Sequence, residues 1–257
     1  MSSTVEIRRR GHVAEIVFSR PPHNFASPTL LAEIADAVVL CDDNLEVRCT
    51  VLASEGKSFC AGADLAGDED VTGEAGMDTI GQFYVQAERL FRRRKPMVAA
   101  VQGAAIGAGL GLALAADFRV AGPAARFSAN FVRLGFHPGF AITVTLPRLI
   151  GEARAGWMML SAERVKADRA LEWGLADRVA EADLLIEEAH AMAAEIAANA
   201  PLALLSVRET WIGGLADRAA AAMRREHTEQ SALKATDDYA EGVAAVFERR
   251  EARFVGR

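Results

Sequence analysis

Residues 97–117 read MVAAVQGAAIGAGLGLALAAD, and this stretch decides the fold. Its first 20 residues contain one polar side chain, Gln102. Such a run is long enough to cross a bilayer, and Gly103, Gly107 and Gly111 repeat the spacing of packed membrane helices. It is equally typical of a buried strand that enters a helix through a glycine turn, where helical N–H groups point at a ligand. A dinucleotide-binding turn is the third interpretation, because GAGLG partly matches its glycine pattern.

The composition excludes several classes of protein. The 257 residues are 51% hydrophobic and 25% charged, which is ordinary for a soluble globular chain. Apolar residues outside the opening stretch are spread periodically, which argues against a membrane protein. The net charge of −6 lacks the basic footprint of a nucleic-acid-binding protein. We therefore expect neither a membrane nor a nucleic acid as partner.

The cysteines indicate the compartment. The chain has an odd number of cysteines, Cys41, Cys49 and Cys60, and their spacing is not that of metal ligands. We therefore expect reduced thiols, no metal site and a cytoplasmic protein. The amino-terminal sequence MSSTVEIRRR has no apolar segment of the kind found in signal peptides.

Strand and helix patterns alternate through the first part of the chain. Hydrophobic periodicity predicts short strands at residues 5–7, 13–18 (after a turn at 8–12), 47–52, 98–101, 118–121 and 126–127. It predicts helices from Ser27-Pro28 onward and at 78–93, 106–116, 152–160 and 167–173. Residues 66–76, rich in Gly and Asp, are predicted to form a mobile surface loop. From residue 183 onward only Ala-rich helices are predicted, at 183–198, 202–212, 217–234 and 238–250.

This order predicts an α/β fold. Residues 1–182 form the core, and residues 183–257 form a helical extension of one continuous domain. Within it, residues 97–117 fit a strand, a turn and a helix. The start of that helix is therefore predicted to be an oxyanion or phosphate site.

Two segments carry a resemblance to a known family. Residues 59–65, FCAGADL, and residues 95–109, KPMVAAVQGAAIGAG, resemble the signature segments of the enoyl-CoA hydratase/isomerase (crotonase) superfamily. The resemblance continues in order through nearly the whole chain. It implies a crotonase-like spiral of ββα units, a helical trimerisation region at the carboxyl end, and an acyl-CoA thioester as substrate or ligand without a further cofactor. A homotrimer or a hexamer is the implied assembly.

The resemblance also implies the site residues. The backbone N–H groups of Ala63 and Ala108 should form an oxyanion hole for the thioester oxygen. Other implied contacts to the substrate are Pro22, His23, Ala61, Gly62, Asp64, Leu65, Gly107, Gly111 and Phe131. Asp64 has an alternative role as a carboxylate that caps its own loop.

The acid–base residues of the family are missing at their usual positions. Family hydratases place and activate a water with two glutamates, and ungapped alignment of the motifs puts Gly111 and Phe131 there. A third position, where several isomerases of the family carry an acid, falls on Gly139. None of these three residues can move a proton, although general acid–base chemistry needs a titratable group within hydrogen-bond reach.

Two residues are candidate replacements. His137 lies in the segment implied to line the acyl pocket and is a candidate base; alternatively it is a turn histidine bonded to the backbone beside Pro138. Tyr84 is a candidate hydrogen-bond or proton donor, or else a packed core tyrosine with a satisfied hydroxyl.

These residues leave two functions open. The first is an acyl-CoA enzyme, a lyase or an isomerase, that forms a thioester enolate with a non-standard acid–base group. The second is a non-catalytic acyl-CoA-binding protein in which Phe131 makes the pocket more apolar and favours long acyl chains.

Overall fold

The architecture is a mostly parallel six-stranded sheet and a small second sheet, flanked by helices. A computed structural model of the protein describes residues 3–64 and 77–257. The strands within them are β1 (Thr4–Arg10), β2 (Val13–Ser19), β3 (Cys49–Ser54), β4 (Met97–Val101), β5 (Ala104–Ile106), β6 (Phe118–Ala121), β7 (Arg126–Ser128), β8 (Val165–Lys166) and β9 (Arg178–Val179). The helices are α1 (Pro28–Asp43), α2 (Thr79–Phe91), α3 (Ala108–Ala115), α4 (Ile142–Ile150), α5 (Glu152–Ser161), α6 (Ala167–Trp173), α7 (Leu185–Ala197), α8 (Pro201–Ile212), α9 (Leu215–Leu233) and α10 (Asp237–Glu248).

The strands form two sheets. The larger has the order β1-β2-β3-β4-β6-β9, in which only the β1–β2 pair is antiparallel. The smaller has the order β5-β7-β8, with β5 and β7 parallel. Parallel strands need crossover connections, and the intervening helices supply them. The predicted α/β class is therefore confirmed.

The start of α1 shows how local sequence determines an element. Ser27 caps the helix, because its hydroxyl accepts a hydrogen bond from the Leu30 N–H at 3.2 Å, and Pro28 occupies the first helical position. Both roles were predicted from the residue types. The buried face of α1, which includes Leu31, Ile34 and Val38, then packs into the main core.

Residues 97–116 are not one helix. They divide into β4, β5 and α3, with Gly107 at φ +55° before the helix. In the described part of the chain, no single helix is long and apolar enough to span a membrane. Within the same residues, α7 and α8 reach the length and composition of a membrane span only when they are taken together, and they meet at an angle of 102°. The strand, turn and helix prediction is confirmed, with the short strand β5 as an unpredicted addition.

Two features differ from the sequence-based prediction. Residues Arg8 to Arg10 belong to β1 and not to a turn, because they pair with β2 as far as Arg10 opposite Val13. Helix α4 was not predicted, since it contains β-branched residues and Pro147. The cysteines, by contrast, agree with the prediction of reduced thiols, because all three are free and buried.

The carboxyl-terminal helices cover the core in different places. Helix α7 packs on β3, β4 and β6, whereas α9 packs on α2 and α4. Helix α10 packs on the 3₁₀ turn Asn130–Leu134, with Gly242 directly against Leu134. The predicted boundary between the core and the helical extension at residue 182 stays a prediction. The position of α9 brings its side chains to the candidate site.

Candidate active site

Two segments of the predicted site lie side by side. The Ala61 N–H donates to the His23 carbonyl at 3.1 Å, and the Ala26 N–H donates to the Gly62 carbonyl at 2.9 Å. The Asp64 N–H donates in turn to the Ala26 carbonyl at 2.7 Å. The structure therefore brings the predicted Pro22–His23 contact segment next to residues 61–64.

A buried asparagine supports this arrangement. The Asn24 side chain accepts from the Arg20 N–H and donates to the carbonyls of Glu55 and Ser58, while its own φ is +54°. Sequence reasoning missed Asn24, although Asn is one of the few residue types that adopt this conformation readily. Its bonds fix the turn that carries Pro22 and His23 against the loop that leads into Phe59.

The Asp64 carboxylate is engaged within the protein. It lies 2.7 Å from Nη2 of Arg20, an ion pair with another segment of the chain, and both predicted roles of Asp64, ligand contact and cap of its own loop, stay predictions. Pro22 and His23 are exposed, as contacts to a soluble ligand require. Leu65 and the loop predicted at 66–76 lie outside the described residues.

The geometry of the two bonds at Ala26 orients the Ala63 N–H. Ala26 forms a parallel bridge with Ala63 by bonding to its two neighbours, Gly62 and Asp64. In such a pair the N–H of the bridged residue itself points away from its partner strand. The Ala63 N–H therefore faces away from Ala26.

Cys60 links this loop to the start of α3. Its N–H donates to the Ala104 carbonyl at 2.9 Å, and its carbonyl accepts from the Ile106 N–H at 3.0 Å. Gly109 approaches so closely that a Cβ there would lie 1.9 Å from the Cys60 carbonyl oxygen. Only glycine allows this contact, which holds the first turn of α3 against the loop that carries Ala63.

Ala108 opens α3 at this contact. The first N–H groups of a helix have no intrahelical partner, and the helix dipole makes this end positive. The N–H groups of Ala63 and Ala108 thus belong to two segments that pack directly together. This arrangement suits an oxygen atom on which negative charge develops.

Aromatic rings surround the start of α3. The ring of Phe131, from the 3₁₀ turn, lies about 3.7 Å from the position of a Cβ on Gly107. A Cβ on Gly111 would lie 2.4 Å from Cβ of Phe140, whose side chain is 1% exposed. Phe140 therefore occupies the space into which a side chain at position 111 would extend. Phe140 was not predicted as a site residue.

A hydroxyl occupies the corresponding space at Gly139. A Cβ there would lie 2.2 Å from Tyr84 Oη and 2.7 Å from Gln230 Nε2. The Tyr84 hydroxyl donates to Gln230 Oε1 at 2.8 Å, and Gln230 Nε2 donates to the His137 carbonyl at 2.9 Å. Tyr84 and His137 are therefore joined through Gln230, a residue of α9.

The His137 ring has a defined orientation. Its Nδ1 lies 2.7 Å from the Pro138 carbonyl, which can only accept, so Nδ1 carries the hydrogen. In the neutral ring the lone pair then resides on Nε2, which is the arrangement of a general base. Both predictions for His137 fit this bond, since it fixes the turn and also leaves Nε2 as the basic atom.

Two buried ionisable groups lie beside these residues. Burial raises the pKa of Tyr84, and the nearby Glu226 raises it further, so Tyr84 is a neutral hydrogen-bond donor. Burial likewise raises the pKa of Glu226, although bonds from Thr143 and Ala141 oppose this effect. Neither Glu226 nor Gln230 was predicted, because nothing in the sequence separates them from the exposed polar residues of an Ala-rich helix.

The chain is similar to known proteins over its whole length. Residues 8–257 match the family model described as enoyl-CoA hydratase/isomerase. The crotonyl-CoA hydratase of Syntrophomonas wolfei is 32% identical over 257 residues, which cover 98% of this chain and 97% of that protein.

Solved structures show the same likeness. An enoyl-CoA hydratase/isomerase from Pseudoalteromonas atlantica T6c has a TM-score of 0.86 and 30% identity, covering 98% of this chain and 99% of that one. A carnitinyl-CoA dehydratase from Mycobacterium avium 104 has a TM-score of 0.86 and 31% identity, with the same coverage. The predicted crotonase-like fold is therefore confirmed.

Proposed function

Because this chain belongs to the enoyl-CoA hydratase/isomerase family, we propose that it binds an acyl-CoA thioester and stabilises the thioester enolate with the N–H groups of Ala63 and Ala108. One observation carries this proposal. Gly109 lies against the Cys60 carbonyl, so the loop that bears Ala63 and the first turn of α3 meet at one place. Backbone donors that point at a developing oxyanion contribute about 2.7–4 kcal/mol of transition-state stabilisation each.

The proposed reaction begins with proton removal from the α-carbon. The base is Nε2 of neutral His137, which accepts the proton and becomes an imidazolium. The electron pair of the broken C–H bond forms the enolate, and its negative charge resides on the oxygen held by Ala63 and Ala108. Return of a proton to carbon restores the thioester, so exchange of the α-hydrogen with solvent is the simplest expected reaction.

The usual acids of the family have no equivalent in the proposal. Gly111 and Gly139 provide no side chain, and Phe131 provides an apolar one. Phe140 fills the space beside Gly111, and the Tyr84 hydroxyl fills the space beside Gly139. We therefore expect little ordinary hydratase activity, since no carboxylate at these positions would hold an attacking water.

The same rings favour a second candidate function. Phe131 and Phe140 make the surroundings of the α3 start apolar, as suits a protein that binds acyl-CoA without turning it over. In this alternative the two N–H groups bind the ground-state carbonyl oxygen, and the chain acts as a carrier or sensor.

The proposed partner is a second and third copy of this chain. Helix α8 carries an apolar stripe of Ala203, Val207 and Trp211, in which Val207 is 64% exposed. Exposed apolar surfaces of this kind are typical of subunit interfaces. We propose a homotrimer, which can pair into a hexamer.

Hydrogen exchange distinguishes the two functions. The protein is incubated with butyryl-CoA and crotonyl-CoA in heavy water, and the thioesters are followed by mass spectrometry. We expect the wild type to introduce deuterium at the α-carbon of butyryl-CoA and at the γ-carbon of crotonyl-CoA, whose enolate forms by loss of a γ-proton. Both exchanges should be lost with His137→Ala. The control is His12→Ala, because His12 Nδ1 makes the same kind of backbone bond, 2.8 Å from the Glu46 carbonyl, outside the site.

Each result has one meaning. Exchange that persists in His137→Ala rejects His137 as the base. Binding of acyl-CoA without exchange supports the carrier or sensor. Absence of acyl-CoA binding overturns both functions.

A further inference from the structure

Helix α9 directs two buried polar side chains at the site. Glu226 and Gln230 are one helical turn apart and are 1% and 3% exposed. Residues four apart lie on the same helix face. Both contact the segment 137–143, which carries His137 and Phe140.

Glu226 binds the carboxyl-terminal end of this segment. Its Oε2 accepts from the Ala141 N–H at 2.8 Å, and its Oε1 accepts from the Thr143 hydroxyl at 2.6 Å. Ala141 precedes α4 and has no oxygen of its own side chain to cap the helix. Glu226 thus provides, from another helix, an anionic acceptor that stabilises the start of α4.

The turn that Glu226 holds is strained. Phe140 has a φ of +61° and Ala141 a φ of +55°, so two consecutive residues with a Cβ are left-handed. Such residues persist only when their surroundings fix them, and they are concentrated at functional sites. This backbone conformation places the Phe140 side chain against Gly111, where Phe83 and Phe91 also contact it at centroid distances of 5.7 and 6.2 Å.

Gln230 binds the amino-terminal end of the segment. Its Nε2 donates to the His137 carbonyl, and its Oε1 accepts from the Tyr84 hydroxyl. The segment is thus held at both ends from α9. Burial of the Glu226 carboxylate is unfavourable, so a residue with only a packing function would be better served by an apolar side chain.

We propose that Glu226 and Gln230 are positioning residues of the acyl-CoA site, which hold the segment 137–143 so that Phe140 limits the space for the acyl group. This proposal rests on the proposed function, acyl-CoA binding with the carbonyl at Ala63 and Ala108. It makes the Phe140 ring, which packs against Gly111 about one helical turn after Ala108, the boundary of the acyl pocket. The selected substrates are then acyl-CoAs with short chains, in contrast to the long chains expected from the apolar character of Phe131 alone.

The test compares chain lengths. Dissociation constants of CoA, butyryl-CoA and decanoyl-CoA are measured by titration calorimetry for the wild type, Glu226→Ala, Gln230→Ala and the conservative Glu226→Gln. The matched control is Glu229→Gln, which changes a carboxylate of the same helix that pairs with Arg225 outside the cluster. Amide hydrogen exchange of the segment 137–143 is measured in parallel.

We expect the wild type to bind butyryl-CoA more tightly than decanoyl-CoA. In Glu226→Ala and Gln230→Ala this preference should fall by at least about tenfold, with faster amide exchange in the segment 137–143. The affinity for CoA itself should remain, because implied contacts to the substrate such as Pro22, His23 and Ala61 lie outside the segment. Glu226→Gln should recover most of the preference, and Glu229→Gln should match the wild type.

Three negative results are distinguishable. If the wild type binds acyl-CoA and both alanine variants keep its chain-length preference, the positioning role is overturned while the proposed function stands. If the wild type binds no acyl-CoA, the proposed function fails and this inference fails with it. A uniform loss of affinity for CoA and acyl-CoA alike would indicate general destabilisation and would also overturn the positioning role.

Discussion

At the scale of single residues, Ala108 combines two functions in one backbone group. It is the first residue of α3, so its N–H has no partner within the helix, and the same N–H is the proposed oxyanion donor. Proline is well tolerated at the first position of a helix, because it lacks only the hydrogen that the helix does not use. A substitution can therefore remove the donor and keep the helix.

We predict that Ala108→Pro lowers the rate of α-hydrogen exchange by about two orders of magnitude, as expected from the loss of one oxyanion donor. If the protein is a carrier, the substitution should instead weaken acyl-CoA binding relative to CoA. Both effects are measured with the assays described above, and circular dichroism checks that the helix content is unchanged.

Glu152→Pro is the control for this prediction. Glu152 is the first residue of α5 and, like Ala108, follows a glycine of positive φ. It should fold and react like the wild type. Full exchange and normal acyl-CoA affinity in Ala108→Pro would show that its N–H does not contact the thioester.

The buried carboxylate of Glu226 predicts a pH dependence of stability. Burial raises its pKa in the native protein above the ordinary value of 4.5, so the native state binds more protons than the unfolded state in this range. The free energy of unfolding therefore decreases as the pH rises from 4.5 through the native pKa. Each pKa unit of difference corresponds to about 1.4 kcal/mol.

We predict that Glu226→Gln gains stability relative to the wild type over this pH range, because glutamine does not titrate. Urea denaturation at several pH values from 4.5 to neutrality measures the difference. The groups that face Glu226 are Tyr84, which stays neutral, and His137, whose charge would favour the carboxylate. His137→Ala is therefore included as a second background. A constant difference between the two proteins at all pH values would contradict the raised pKa.

At the scale of elements, one buried ion cluster attaches α8 to the core. Asp117, just after α3, accepts from Arg208 Nε at 3.0 Å and Nη2 at 3.1 Å, and its Oδ2 accepts from the Met97 N–H. Nη2 of Arg93 forms an ion pair with Oδ2 of Asp117 at 2.8 Å. Burial alone would raise the pKa of Asp117, but Arg93 and Arg208 hold it below its usual range.

We predict that Arg208→Ala destabilises the protein by about 3–5 kcal/mol, because it leaves a buried carboxylate with less compensation and breaks the attachment of α8. The measurement is urea denaturation. Glu209→Ala, the exposed neighbour on the same helix, should change stability by less than about 0.5 kcal/mol. If the free energy of unfolding falls no more for Arg208→Ala than for the control, α8 is held by other contacts.

The elements also show what the sequence could predict. Helices with a regular apolar period and a capping residue, such as α1, were predicted from local information alone. Helix α4 was not, because its first turn is capped by Glu226, which lies 85 residues away from Ala141 along the chain. Local patterns contain no information about a cap supplied by another helix. The three-residue strand β5 is too short to show a period.

The candidate site likewise has one part that the sequence predicts and one part that it does not. Residues 59–65 and 95–109 carry recognisable motifs, and the structure brings the described residues of both together at Cys60 and Gly109. No recognisable motif marks Phe140 or the α9 residues Glu226 and Gln230. Their proposed role rests on the close contacts of Gly111 and Gly139, which only a three-dimensional structure reveals. The sequence shows that Gly111 and Gly139 lack side chains, but it does not show which groups occupy the space beside them.

At the scale of the whole molecule, the apolar stripe on α8 remains to be explained. Trp211 stacks on Phe118 at a centroid distance of 5.9 Å, so one end of the stripe is continuous with the core. Val207 and Ala203 extend it into solvent. Because the ion cluster at Asp117 fixes the orientation of α8, this face is presented as a rigid surface, and a symmetric trimer would bury it.

We predict that the wild type has three times the chain mass of 27.5 kDa, or six times if trimers pair, in light scattering after size exclusion. Val207→Asp should dissociate it into folded monomers, because burying an unpaired carboxylate in each interface is strongly unfavourable. Leu45→Asp is the control, since Leu45 is 91% exposed in the turn after α1 and should not change the mass. If Val207→Asp keeps the assembly intact, the interface lies elsewhere, and Phe247 on α10, which is 84% exposed, becomes the residue to change next. A monomeric wild type would reject the trimer itself, and the acyl-CoA site would then have to be complete within one chain.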